Sequence, residues 1–144
     1  MKKIIYAFLG LVLFAACDDD DSRQDNPYLF DLNFSFLVDL SLPQYNGLNF
    51  PSNPVYINNY GHGGIILMNT GGNSYVAFDA ADPNHVPKGC SVLEIDGLEG
   101  TCQCEDHNRY NLITGQFIEG ENLKYTLYPY RVTDNGNGTL TVSN

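Results

Sequence analysis

Residues 75–116, YVAFDAADPNHVPKGCSVLEIDGLEGTCQCEDHNRYNLITGQ, hold two of the three histidines and three of the four cysteines of a 144-residue chain. These residues fall in two loops. The first runs from Asp79 to Gly89 around His85 and is followed at once by Cys90. The second follows Cys102 and Cys104, running from Glu105 to about Asn111 around His107. Between them Cys90 to Ile95 alternates as a strand, Asp96-Gly97 is a turn pair, and Leu98 to Cys104 returns. Cys and His gathered from two loops serve as metal ligands, as the clamp of an iron–sulfur cluster, or as disulfide partners.

The flanking sequence fixes the fold class. Upstream, Ile65 to Asn69 is a short apolar strand, Thr70-Gly71-Gly72-Asn73 a hairpin turn and Tyr75 to Phe78 the returning arm. Val55-Tyr56-Ile57 reads as a short strand between Pro54 and Gly61-His62-Gly63-Gly64. His62 has no Cys or carboxylate near it in sequence and reads as turn surface. That glycine cluster is no phosphate loop, since neither a helix nor Gly-Lys-Ser/Thr follows. Further back, Phe30, Leu32, Phe34, Phe36, Val38, Leu40 and Leu42 alternate with mostly polar residues, which predicts one long half-buried strand ended by Pro43. Tyr45-Asn46-Gly47 is a turn. Downstream, Thr114-Gly115-Gln116 turns the chain into a strand at Phe117-Ile118. A last hairpin runs from Leu123 to Val132, turns at Asp134 to Gly138 and returns through Thr139 to Val142; Asn137-Gly138-Thr139 belongs to that turn rather than to a glycosylation site. No ten residues after the leader keep a helical period. The expectation is an all-β antiparallel sandwich of short strands, with ten Tyr, eight Phe and no Trp to fill it.

The front of the chain is a different kind of sequence. Lys2 and Lys3 precede a continuous apolar run from Ile4 to Ala16, too short to span a bilayer, which reads as an export leader over residues 1–16. Leu13-Phe14-Ala15-Ala16-Cys17 resembles a bacterial lipoprotein box, with Phe14 where Leu is usual. A plain secretory leader with an incidental Cys is the alternative. The resemblance implies lipidation at Cys17 and a membrane anchor by acyl chains. Asp18 to Asp21 begin an acidic tether over residues 17–27 and resemble the surface-export signal of lipoproteins in the Bacteroidota. That implies an outer-membrane lipoprotein facing the periplasm or the cell surface, where disulfides persist. Cleavage before Cys17 leaves 128 residues and, with Lys2 and Lys3 gone, takes the net charge from −10 to −12. Such a charge argues against nucleic acid as a partner. Residues 28–144 form the β domain.

The order of parts in that domain resembles the Rieske domain. The pieces are Tyr75-Val76-Ala77-Phe78-Asp79, Asp96-Gly97, Cys102-Gln103-Cys104, Leu112-Ile113-Thr114-Gly115-Gln116 and Tyr128-Pro129-Tyr130-Arg131-Val132. The likeness runs from about Gly61 to the C-terminus. With the lipoprotein front it resembles small Rieske-like lipoproteins of the Bacteroidota. It implies two loop-bearing hairpins at one end of the sandwich, and a [2Fe–2S] cluster held by a Cys-x-His loop and a Cys-x-x-His loop. Here Asp82-Pro83-Asn84 stands where the first Cys and His belong, with His85 one residue further. The second loop has two registers. Cys102 with Glu105 in the His position is one, and Cys104 with His107 is the other; the kinder register still supplies at most Cys104, His107 and His85. The implied ligand set is therefore incomplete.

Three uses remain for the cysteines. Some Rieske domains tie their loops with a disulfide, which implies Cys90–Cys104, with Cys90–Cys102 as the alternative and one thiol left free. A mononuclear zinc site would draw on Cys102, Cys104, His107 and either His85 or Cys90. A [2Fe–2S] electron-transfer centre would need substitute ligands such as Asp82. Ser91, His85 or His107, and Asp82 or Asp106 assemble into a triad only on paper, because no nucleophile-elbow motif supports it. The expected role is therefore a non-enzymatic one: a membrane-anchored lipoprotein whose Rieske-like domain is a binding or structural module, with no cofactor. A [2Fe–2S] electron-transfer protein is the alternative.

Overall fold

A computed structural model describes residues 25–144. The expected leader, Cys17 and the aspartate run lie outside the described residues. Ten strands form two antiparallel sheets. The larger sheet contains β1 (Ser35–Asp39), β2 (Val55–Ile57), β3 (Ile65–Gly71), β4 (Ser74–Asp79), β9 (Pro129–Asp134) and β10 (Thr139–Ser143), in the order β1-β10-β9-β4-β3-β2. The smaller sheet is β5 (Glu94–Asp96), β6 (Glu99–Thr101), β7 (Arg109–Asn111) and β8 (Phe117–Glu119), joined in sequence order. Apart from the strands, the chain makes only two short 3-10 turns among the described residues, at Pro43–Asn49 and Gly89–Ser91. The all-β reading holds.

The run Ile65-Ile66-Leu67-Met68 decides how the layers meet. Successive side chains on a strand point to opposite faces, so a strand apolar at every position must be covered on both. Ile65 and Leu67 pack with Val38, Leu48, Ala77, Tyr130, Leu140 and Val142 in one core. Ile66 and Met68 pack on the other side with Phe78, Leu93, Cys102, Tyr110, Leu112 and Leu127, beneath the small sheet. The first core is edged by aromatic residues, with Phe36 stacked on Tyr60 at 3.9 Å between centroids and Phe34 edge-on to Tyr130 at 4.8 Å.

Some expected boundaries differ. The expected alternation is present in burial from Leu32 to Val38, but only Ser35–Asp39 pairs as a strand, because its partner β10 offers five residues, Thr139 to Ser143. Phe30 and Leu42, at the ends of the expected strand, are exposed. Tyr45-Asn46-Gly47 lies inside the first 3-10 turn. Cys90 is not on a strand: the Ser91 hydroxyl accepts the Lys88 backbone N–H at 2.7 Å and Ser91 N–H donates to the Lys88 carbonyl, closing a 3-10 turn there. At the other end, Asn26 already belongs to the body, donating from its side chain to the Pro83 carbonyl and accepting from the Tyr28 and Leu29 N–H groups.

Candidate functional site

The two loops of the opening stretch, one crossing from the large sheet to the small one and the other within the small sheet, are clamped together. Loop 1 leaves β4 and returns to β5; loop 2 joins β6 to β7. Cys90 and Cys104 form a disulfide across them, with their Cα atoms 4.9 Å apart. One backbone bond ties the same junction, from Gln103 N–H to the Cys90 carbonyl, while bonds from Asp82 N–H to the Ser91 carbonyl and from Leu93 N–H to the Ala80 carbonyl close loop 1 on itself. Cys102 is left as a free thiol, fully buried.

Asp82 and Asn84, which the resemblance sets at the ligand positions of the first loop, are taken up by hydrogen bonds. The buried Asp82 carboxylate accepts from the Tyr110 hydroxyl at 2.7 Å, the Asn84 N–H at 2.8 Å and the Asn108 side-chain amide at 2.9 Å. Asn84 is more fully engaged still. Its amide donates to the Tyr110 hydroxyl and the Tyr125 carbonyl, and its oxygen accepts from the Lys124 and Tyr125 N–H groups, all within 2.9 Å. An Asn satisfied on every side is a staple, fixing loop 1 to the segment that leads into β9.

The other candidates divide into those inside and those outside. His85 is the inner one: its Nε2 lies 3.2 Å from the Cys102 sulfur, 3.5 Å from Asp82 Oδ2 and 3.4 Å from Asp106 Oδ2. Its Nδ1 faces the Val86 carbonyl at 3.0 Å. Glu105 is exposed and lines, with His85, Lys88, Gln103 and Asp106, an open cleft of about 580 Å³ over the disulfide. His107 sits in the left-handed region at φ 47° and faces a separate cleft shared with Glu119, Gly120 and Glu121. The zinc set offered as an alternative use of the cysteines is not assembled: Cys90 and Cys104 are consumed by their bond and His107 faces the other cleft. The donors that converge are Asp82, His85, Cys102 and Asp106.

Burial pushes the Cys102 thiol up to about 12, with the Asp82 and Asp106 carboxylates adding to the rise. Burial raises the Tyr110 hydroxyl as well, and its bond to Asp82 keeps it protonated as a donor. The paper triad is also brought together, since Ser91 Oγ lies 3.4 Å from His85 Nδ1. Ser91 is buried, however, and its hydroxyl is engaged in its own turn, so it presents no nucleophile to the cleft.

A [2Fe–2S] cluster of the Rieske kind takes two thiolates and two imidazoles. The loops bring together one thiol and one imidazole, and the donor set does not fit that cluster.

His62 is a second correction. It is not turn surface: its side chain is 9% exposed, and its Nδ1 lies 3.3 Å from the buried Asp79 carboxylate. Asp79 also accepts from the Tyr130 hydroxyl at 2.6 Å and the N–H groups of His62, Gly63 and Ala81. Burial by itself would raise this carboxyl, but the bonds from His62, Tyr130 and the backbone outweigh it and hold it below the usual range. No local signal marks this cradle, because His62 and Asp79 are 17 residues apart and meet only through the pairing of β3 with β4.

No protein-family model and no curated protein matches the chain. Among solved structures, it is similar to a protein of Mycobacterium tuberculosis described as the small subunit of an NADH-dependent nitrite reductase. That match has a TM-score of 0.45 and 15% identity, covering 79% of this chain and 97% of the other. It is also similar to the ferredoxin of carbazole 1,9a-dioxygenase from Nocardioides aromaticivorans IC177, with a TM-score of 0.41 and 18% identity over 67% of this chain and 91% of that one. These are likenesses of fold and carry nothing about chemistry. Two antiparallel sheets with two clamped loops at one end are the arrangement that the Rieske-like reading of the sequence expects; what the loops can do is read from their own residues.

Proposed function

We propose that this Rieske-like domain is a non-catalytic binding or structural module, carried on a lipoprotein anchored to the outer membrane through Cys17. The observation that supports it most directly is the state of Asp82 and Asn84. Where a ligand loop would present a thiolate and an imidazole, these side chains are spent on hydrogen bonds that rigidify the loop. The disulfide does the same for Cys104. Loops held on both sides, around an open cleft, make a preorganised surface that loses little entropy on binding. Extracytoplasmic placement accords with that disulfide, which reducing compartments disfavour.

The test is spectroscopic. Mature protein expressed with ample iron is expected to be colourless and to show no reversible one-electron couple; a visible spectrum that bleaches on reduction and returns on oxidation would sink the proposal. Anchoring is tested separately by Cys17→Ala, which should move the protein from the membrane fraction to the soluble one. Protease treatment of intact cells then reports which side of the outer membrane the domain faces.

A further inference from the structure

The convergence on His85 Nε2 is hard to explain as a static part of the fold. A sulfur and two carboxylate oxygens, from Cys102, Asp82 and Asp106, stand 3.2, 3.5 and 3.4 Å from one nitrogen. Nδ1 has the Val86 carbonyl at 3.0 Å and the Ser91 hydroxyl at 3.4 Å; in the tautomer that donates from Nδ1 to that carbonyl, the Nε2 lone pair faces those three groups. The Asn108 amide donates to both carboxylates, but it does not reach the Nε2 lone pair, and what can sit among all of them is a second ring proton or a metal ion.

The distances distinguish these two. A ring N–H can point at one acceptor and serves three only poorly. Tetrahedral ligands with bonds of about 2.0–2.3 Å to zinc stand roughly 3.3–3.6 Å from one another, and the three His85 separations lie at or close to that range. All four donor atoms lie within 4.8 Å of each other. Asp106, 38% exposed on the cleft rim, has the most room of the four to adjust.

The surroundings are those of a supported metal site. Ligating His residues hold their second nitrogen on a carbonyl, and ligating carboxylates are themselves hydrogen-bonded. Here Val86 holds His85, and the Asn108 amide donates to both Asp82 and Asp106 at 2.9 Å. Tyr110 holds the other oxygen of Asp82. Asn108 is 3% exposed and its Oδ1 has no hydrogen-bond partner, while its amide lies between the two carboxylates.

We infer that Asp82, His85, Cys102 and Asp106 form a mononuclear site for a divalent transition metal of the zinc class. One sulfur, one nitrogen and two oxygens suit zinc and its spectroscopic substitute cobalt(II). On binding, the Cys102 thiol gives its proton to solvent and its sulfur becomes a ligand. The site is distinct from a binuclear cluster, which these donors do not fit. It goes beyond the proposed module role, and it does not depend on the lipid anchor.

The full chain in detergent, stripped with chelator and dialysed, is titrated with zinc by calorimetry and with cobalt(II) by absorbance. The expected result is one ion per chain and a near-ultraviolet thiolate-to-cobalt band that Cys102→Ser abolishes. Because Cys102 is buried, two gentler variants carry the test beside it: His85→Gln and Asp106→Asn, both on the cleft, should each weaken zinc at least about tenfold. Failure of stripped wild-type protein to take up either metal overturns the inference and leaves the module role standing. So does zinc affinity unchanged by both gentle variants. Two irons per chain with a reversible couple overturns both readings.

Discussion

The disulfide between Cys90 and Cys104 yields a number that can be checked. The two residues are 14 apart, so the bond closes a loop of 15. In the chain-entropy treatment, such a closure removes about 10 cal/mol/K from the unfolded chain, or roughly 3 kcal/mol at room temperature. The perturbation is the double variant Cys90→Ala with Cys104→Ala, which avoids stray thiols. In the folded state little should change, because the backbone bond from Gln103 to Cys90 already ties the two loops and the bond from Asp82 to Ser91 closes loop 1 on itself. The loss therefore falls almost wholly on the unfolded side. For a domain of this size that corresponds to a fall in Tm on the order of 10 °C. Circular dichroism melts of oxidised wild type and the double variant measure it, and reductant on wild type should reproduce the shift. A fall of less than about 2 °C would refute the reasoning and mean that the unfolded chain keeps the loops together without the bond.

Other residues yield sharper local tests. Asn84→Ala removes four bonds that pin loop 1 to Lys124, Tyr125 and Tyr110, and should cost about 2–3 kcal/mol in urea unfolding; a neutral result would show that the staple is idle. Gly115 has φ +72° and an added Cβ would sit 2.7 Å from the Phe78 ring, whereas Gly72 has φ +60° with nothing near it. Gly115→Ala should therefore destabilise by more than the roughly 1 kcal/mol expected for Gly72→Ala, and equal losses would mean that Phe78 gives way. Asp79 sets the acid limit. Its carboxyl is held below the ordinary value near 3.9, so the unfolded chain binds a proton first as pH falls. Stability from this group is complete above about pH 4 and drains away as pH drops through the folded value. Urea midpoints from pH 7 to pH 3 should fall in wild type and fall less steeply in Asp79→Asn.

What the sequence revealed and what it concealed have the same physical origin. The hairpins at Ile65 to Phe78 and at the C-terminus were legible because alternation and glycine turns are local signals. The Cys90–Cys104 pairing was legible only through a resemblance, since spacing alone allowed Cys102 as well. The inner cluster was half-legible: His85 and Asp82 stood out, while Asp106 entered only in an unsupported triad. Asn108 and Tyr110, which orient the carboxylates, carry no local signature; they act on Asp82 from 26 and 28 residues away. The length of β1 was hidden for a similar reason, because alternation shows which face is buried, and only the partner strand shows how much of it pairs. His62 was misread because its carboxylate lay on the next strand but one.

The double coverage of β3 bears on how the molecule comes apart. With Ile65 and Leu67 in one core and Ile66 and Met68 in the other, neither sheet can loosen its packing without exposing a strand that the other core also holds. The two sheets are therefore one cooperative unit, despite sharing no strand pairing. Amide hydrogens along β3 and the facing residues of β4 should exchange only through global opening, while those of the outer strand β8, whose three residues are all exposed, exchange by local fraying. Melts followed by signals from either sheet should coincide in a single transition.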